Sequence, residues 1–208
     1  MASAAELLLS GIILGLVQGL TPGPLITLVI SETFRFGKGE GFKVAVSPFI
    51  TDSTIILITL TVLSTLEGYG AALGIISVFG ACYLIYLGFE NLRFKITVHE
   101  TKVVKREALK RAVIANFLNP HTYLFWLFVG GPIILKNIKT NPSAIVFFLL
   151  GFYFSLIGSK SSIALVMDKS KSLLKSRYYP PIIRLLGIIL MVFAVSILID
   201  GLRLMTIF

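Results

Sequence analysis

The chain has 208 residues, of which 56% are hydrophobic and 14% charged, and its mean hydropathy is +0.92. Soluble domains average about 25% charged residues, so 19 Lys and Arg with 10 Asp and Glu cannot cover a water-exposed fold of this size, and a chain this apolar is not disordered either. The formal net charge of +9 fits nucleic acid, an anionic surface or an orientation signal in a membrane, and the placement of the charges decides between them.

Six apolar stretches lie between the charges and predict candidate spans over residues 7–31, 44–66, 69–89, 112–135, 143–167 and 181–203. About 20 apolar residues cross a hydrocarbon core of about 30 Å; the last stretch reaches that length with Arg184 snorkelling at one end. Continuous apolar runs at 55–58 and 186–194 lack the alternation of a membrane β-strand. The expected fold class is therefore an all-α integral membrane protein with six transmembrane helices, forming one domain over 1–208.

The first span has no Lys or Arg before it, unlike a cleavable signal peptide, and reads as a retained helix. Gly11, Gly15 and Gly19 repeat at the spacing that lets helices approach closely. Gln18, Thr21-Pro22-Gly23-Pro24 and Thr27 follow. Two prolines remove two backbone donors, so the helix is expected to break there, and broken backbone at membrane depth lines a cavity or is buried in protein. The second span carries Asp52. The third carries Gly70 and Gly74 at the close-approach spacing, and Cys82, the single cysteine, reads as a small packing residue. The basic segment 93–111 separates the two halves. The fourth span holds a second expected break, Asn116, Asn119-Pro120 and His121, followed by Tyr123 and Trp126. Asn supplies donor and acceptor for a polar ligand; His121 either titrates in proton coupling or is a hydrogen-bonded structural residue. The fifth span contains Lys160 within Gly158-Ser159-Lys160-Ser161.

With six alternating spans, fifteen Lys and Arg fall on one side and three on the other. The rich side is expected in the cytoplasm and both termini outside. Glu32, Glu40, Glu90, Glu100, Glu107 and Asp168 share the basic loops, and their balance carries the whole +9, so the charge reads as orientation and attraction to anionic lipid rather than nucleic-acid affinity. Three spans per half would place any internal duplication in inverted orientation. At an offset of 108, Gly23-Pro24 falls on Gly131-Pro132 and Asp52 on Lys160.

Asp52 and Lys160 are the charges well inside the apolar stretches, where a lone charge costs on the order of 3 kcal/mol. Both lie nine residues from a basic boundary, about 14 Å into the membrane at 1.5 Å per residue, and the two breaks fall near that depth. Two readings stand: a structural Asp52–Lys160 pair, or a functional site. No nucleotide loop or zinc helix is present, and the Ser-Lys cluster alone is thin support for an intramembrane hydrolase. No catalytic residue, cofactor or metal site is expected.

Thr21-Pro22-Gly23-Pro24 in span one, Asp52 in span two, the basic loop after span three and Leu118-Asn119-Pro120 opening span four resemble the lysine/homoserine-threonine exporter family over essentially the whole chain. The resemblance implies a six-helix secondary carrier in the plasma membrane, without enzymatic activity, that moves amino acids or related small solutes out of the cytoplasm on a proton or sodium gradient. Leu25 and His121 stand where that family commonly has a polar residue and a lysine, and Pro48 stands in a stretch it makes Gly-rich. Thr21, Pro22, Gly23, Pro24, Asn116, Asn119 and Pro120 are the expected substrate residues, and Asp52, Lys160 and His121 the ion-coupling ones, with Lys160 as partner of Asp52. The rivals are an inorganic-ion transporter or channel built on Asp52, Thr51 and Ser53, and an intramembrane enzyme or assembly factor. Lipids are expected partners, and a homo-oligomer remains open.

Overall fold

Proline and glycine set the helix boundaries. The computed structural model describes residues 3–65, 70–93, 107–169 and 179–206. In chain order these form α1 (Ala4–Leu20), α2 (Pro24–Phe36), α3 (Lys38–Ser64), α4 (Gly70–Leu92), α5 (Ala108–Phe117), α6 (Pro120–Phe125), a π-helical turn (Trp126–Gly130), α7 (Gly131–Ile138), α8 (Pro142–Lys169) and α9 (Tyr179–Thr206). No strand occurs among the described residues. Most of the expected loop 93–111 lies outside them.

Ser3 and Glu6 form a reciprocal cap that starts α1. α1 and α2 meet at a bend of 62°, and α5 meets the α6–α7 segment at 59°. Among the described residues α3 and α8 are each long and apolar enough to cross a bilayer, and the count is four when each bent pair is taken as one span. Large apolar side chains face outward, Phe154 at 82% exposure and Leu57 at 68%, as a lipid-solvated surface requires.

Two helix pairs dominate the packing, α1 along α8 and α4 along α9. The glycine triple on α1 explains the first. A Cβ on Gly11 or Gly15 would run into the carbonyl oxygens of Phe148 or Phe152, and one on Gly19 into the Ser159 hydroxyl. In lipid no hydrophobic force drives helices together, so close backbone approach and dispersion hold them. Gly74 plays the same part on α4, where a Cβ would lie 2.8 Å from the Gly201 carbonyl of α9. Cys82 is exposed, so the expectation that it packs between helices is corrected: it lies two residues after Gly80, on a turn whose inward positions are Gly80, Ala81, Tyr83 and Leu84.

The buried apolar side chains fall into two clusters. The larger joins α1, α4, α6, the π turn and most of α8 around Leu14, Trp126, Phe148 and Phe152. The smaller holds Leu25 and Val29 of α2, Val44 of α3, Ala108 and Ala112 of α5 and Ala164 of α8.

Around the smaller cluster the sequence reading needs one correction. Glu32 and Glu40, expected in a basic loop, are helical and buried. The reason is that α2 runs on to Phe36 and reverses into α3 through Gly37 alone, at φ +86°, a backbone conformation costly to residues with a Cβ. Glu32 then reaches across to Arg111 of α5, Nη1 to Oε1 2.9 Å, while Glu40 pairs with Lys43 at 2.8 Å. The Lys38 N–H donates to Asp168 of α8 at 3.3 Å.

Gly131-Pro132, onto which the 108-residue offset brings Gly23-Pro24, follows a π-helical turn. Pro132 has no N–H for the Phe128 carbonyl, and the chain answers by widening one turn: the Gly131 N–H bonds five residues back to Trp126. The counterpart of Pro24 is Pro120, each residue opening the second part of a bent pair.

If backbone approach holds α1 to α8, Gly15→Val should cost about 1–3 kcal/mol or more by overpacking, read as a lower melting temperature in detergent. Gly158→Ala, whose Cβ meets nothing within 4 Å, should be neutral. Equal melting of the two variants would contradict this packing.

Candidate functional site

The break in the first bent pair follows from missing donors. In a continuous helix the Gln18 carbonyl would accept from residue 22, which is proline, and the Leu20 carbonyl from residue 24, also proline. Residues before proline avoid helical backbone, and Thr21 and Gly23 are both extended. Pro24 then restarts the helix at a position where an N–H is not needed. Gly23 offers no side chain to cap it, and the first residues of α2, Pro24, Leu25 and Ile26, line the cavity at the break.

The orphaned carbonyls of α1 find a partner on α8. Lys160 Nζ donates to the Gln18 and Gly19 oxygens at 3.1 and 3.3 Å. An ammonium at a helix C-terminus also opposes the negative end of the helix dipole. Lys160 is buried, and so is Asp52, and the two act on each other through space. They do not close an ion pair, which corrects the expectation that Lys160 is the direct partner of Asp52: the free carbonyls at the break claim the ammonium.

Asp52 is held instead by Asn116 of α5, whose Nδ2 donates to Asp52 Oδ1 at 2.9 Å and also contacts Thr51 Oγ1. Thr51 Oγ1 adds a bond to the same carboxylate at 3.3 Å. Asn116 Oδ1 accepts from Thr122 at 3.0 Å, so one amide ties α3, α5 and α6 together. Local chemistry places Asp52. Pro48, one turn earlier, has no N–H for the Val44 carbonyl, and the Ser47 hydroxyl donates there instead at 2.8 Å, which keeps α3 helical through the proline.

The second break repeats the logic of the first. Asn119 is extended, and its side chain accepts from the His121 N–H at 3.2 Å, capping α6. His121 lies between Tyr83, whose hydroxyl is 3.2 Å from Nδ1 and donates to the His121 carbonyl at 3.0 Å, and Tyr86, whose ring stacks 6.4 Å away at 12°.

Both breaks open on one cavity of about 80 Å3, several times the room one water needs. Thr21, Pro22, Gly23, Pro24, Asn116, Asn119, His121, Asp52 and Lys160 all line it. Pro120 is the first residue of α6, between the lining residues Asn119 and His121. Its apolar wall comes from Leu25, Ile26, Phe125, Trp126, Phe152 and Leu156, with the Phe125 and Phe152 rings stacked at 5.3 Å. The buried Trp126 indole N–H has no hydrogen-bond partner, although it neighbours Asp52.

Sequence reasoning missed Tyr83 and Thr122, and the Asn116 bridge to Asp52. Nothing in the spacing announces Tyr83, a tyrosine among apolar residues. Thr122 lies six residues from Asn116, and only the break between them brings the two side chains together. Ser159, part of the suspected Ser-Lys cluster, donates to the Leu156 carbonyl while Lys160 points to α1, so the two have separate partners.

The Asn116 network should be worth more than the Asn119 cap. Asn116→Ala strips a buried carboxylate of a donor and is expected to cost about 1–3 kcal/mol, against on the order of 1 kcal/mol for Asn119→Ala. Thermal unfolding of the solubilised variants reads the ranking, and the reverse order would contradict it.

No curated protein and no solved structure matches the chain. A family does: the LysE type translocator family matches residues 16–201. With that match over most of its length, with apolar helices fit to span a bilayer and with a polar cavity at two helix breaks, the chain belongs to the LysE type translocators, a family of membrane transporters.

Proposed function

We propose that this protein is a secondary active exporter of amino acids or related small solutes, coupled to protons or sodium, with six spans in the plasma membrane, both termini outside and two inverted three-helix halves. The observation that carries the reading is the single cavity in which both helix breaks, a buried carboxylate and a buried ammonium meet.

An amino acid needs an anionic and a cationic pole. The uncapped start of α2 offers amides and a positive dipole end to a carboxylate, and Asp52 offers an acceptor to an ammonium. Asp52 is the coupling group because its charge, buried away from water, must be compensated by substrate or ion in every state of the cycle. The apolar wall of Phe125, Phe152 and Leu156 takes the rest of the solute. His121 and Asn119 shape the cavity from the second break. A channel for inorganic ions is the weaker reading, since aromatic rings occupy the wall that such a pore would line with oxygens.

Counterflow in proteoliposomes loaded with labelled amino acids tests the substrate class. The unmodified protein should exchange at least one neutral or charged amino acid, and Asp52→Asn should lose most of that exchange while keeping its fold. Exchange of none, or undiminished exchange by the variant, would sink the proposal.

Orientation is tested separately on a Cys82→Ser background. A cysteine at Lys102 should be reached only by a membrane-permeant maleimide in intact cells, and one at Lys139 also by an impermeant maleimide. The opposite pattern would invert the topology.

A further inference from the structure

Secondary transporters commonly seat a metal cation on the carbonyls of an interrupted helix. The interrupted helix here has those carbonyls, and a side chain stands on them. The ligands are oxygens suited to a hard monovalent ion, the Gln18 and Gly19 carbonyls, which lose their helical donors to Pro22 and the extended Gly23. Lys160 Nζ satisfies both of them, is buried with the rest of its side chain, and takes no carboxylate in direct contact.

We propose that the Lys160 ammonium is a tethered cation that occupies the seat of a coupling metal ion at the end of α1, so that the transporter works without sodium or potassium and its resident charge is covalently held. This rests on the exporter reading and narrows its coupling ion: with the cation seat filled by the protein itself, the proton is the ion left to couple.

The surroundings fit a single-cation seat. Among the described residues, Asp52 of α3 is the charged group that lines the same cavity as Lys160. Glu6 sits at the opposite end of α1, Glu32 and Arg35 in the last turns of α2, Lys38, Glu40 and Lys43 in the first turns of α3, and Lys136 near the end of α7; on α8 itself Tyr153 lies two turns back. One positive charge against one negative leaves the layer neutral, and removing the ammonium leaves Asp52 and the carbonyls facing each other without a cation.

The experiment is thermal unfolding of the purified full chain in detergent at constant ionic strength, in choline, sodium, potassium or methylammonium chloride. The unmodified protein should melt at one temperature in all four. Lys160→Ala should melt lower in choline and regain a few degrees in sodium, potassium or methylammonium, because the emptied seat now takes a free cation. Should Lys160→Ala not survive solubilisation in choline, the same comparison is read as the monodisperse fraction recovered in each salt, with recovery by a small cation expected. Stabilisation of the unmodified protein by sodium or potassium over choline overturns the proposal, as does a Lys160→Ala variant that melts like the unmodified protein. A variant that is weakened but indifferent to every small cation overturns it too, reducing Lys160 to a helix cap. None of these readouts uses transport, so a failure of the amino-acid exchange assay is told apart from a failure here.

Discussion

Inside a bilayer a backbone carbonyl without a donor has no water to turn to, and this chain takes donors away within its apolar helices. Pro22 takes a donor from α1, Pro48 one from α3, and Pro120 and Pro132 do the same to the second half. Each deficit is met by a different device: an ammonium from α8, a serine hydroxyl one residue earlier, the Asn119 N–H turned back to the Asn116 carbonyl, a turn widened to π geometry. The cavity, the seating of both buried charges and the bends of the two broken pairs follow from these repairs.

The prolines also explain how much could be read from the sequence. Helical class, the two break points and the residues gathered at them were legible, because a missing N–H is a property of the residue itself and survives any packing. That Asp52 and Lys160 share a layer was legible from their distance to the nearest basic boundary. Their relation was not. A nine-residue count fixes depth along a helix but not which acceptor an ammonium will choose, and the Gln18 and Gly19 carbonyls become acceptors only once the break is formed. Asn116 was read as a ligand group, and its bridge from Asp52 to Thr122 needs the bend between α5 and α6 that the sequence places without giving its angle.

Charge was the less reliable guide near helix ends. Reading Glu32 and Glu40 as loop residues assumed that a charge marks the end of a span. Here α2 continues for another turn, and a single glycine with positive φ reverses the chain, so that Glu32 is drawn against Arg111 in protein. With Glu32 buried and Arg111 partly so, losing the arginine strands a buried carboxylate and costs more than losing a surface bridge, which ties the second part of one broken pair to the first part of the other.

The glycine stripe of α1 bears on how the molecule can move. Side chains that interdigitate have rotamers to exchange, and helices joined that way can slide by repacking them. α1 meets α8 through main-chain atoms at Gly11 and Gly15, where there are no torsions to readjust, so the pair behaves as a strut. The alanine-rich cluster of α2, α5 and the far end of α8 buries much less surface and carries the smaller cost of separation. The strut is thereby a fixed frame beside the cavity, which Phe152, Leu156 and Lys160 of α8 line.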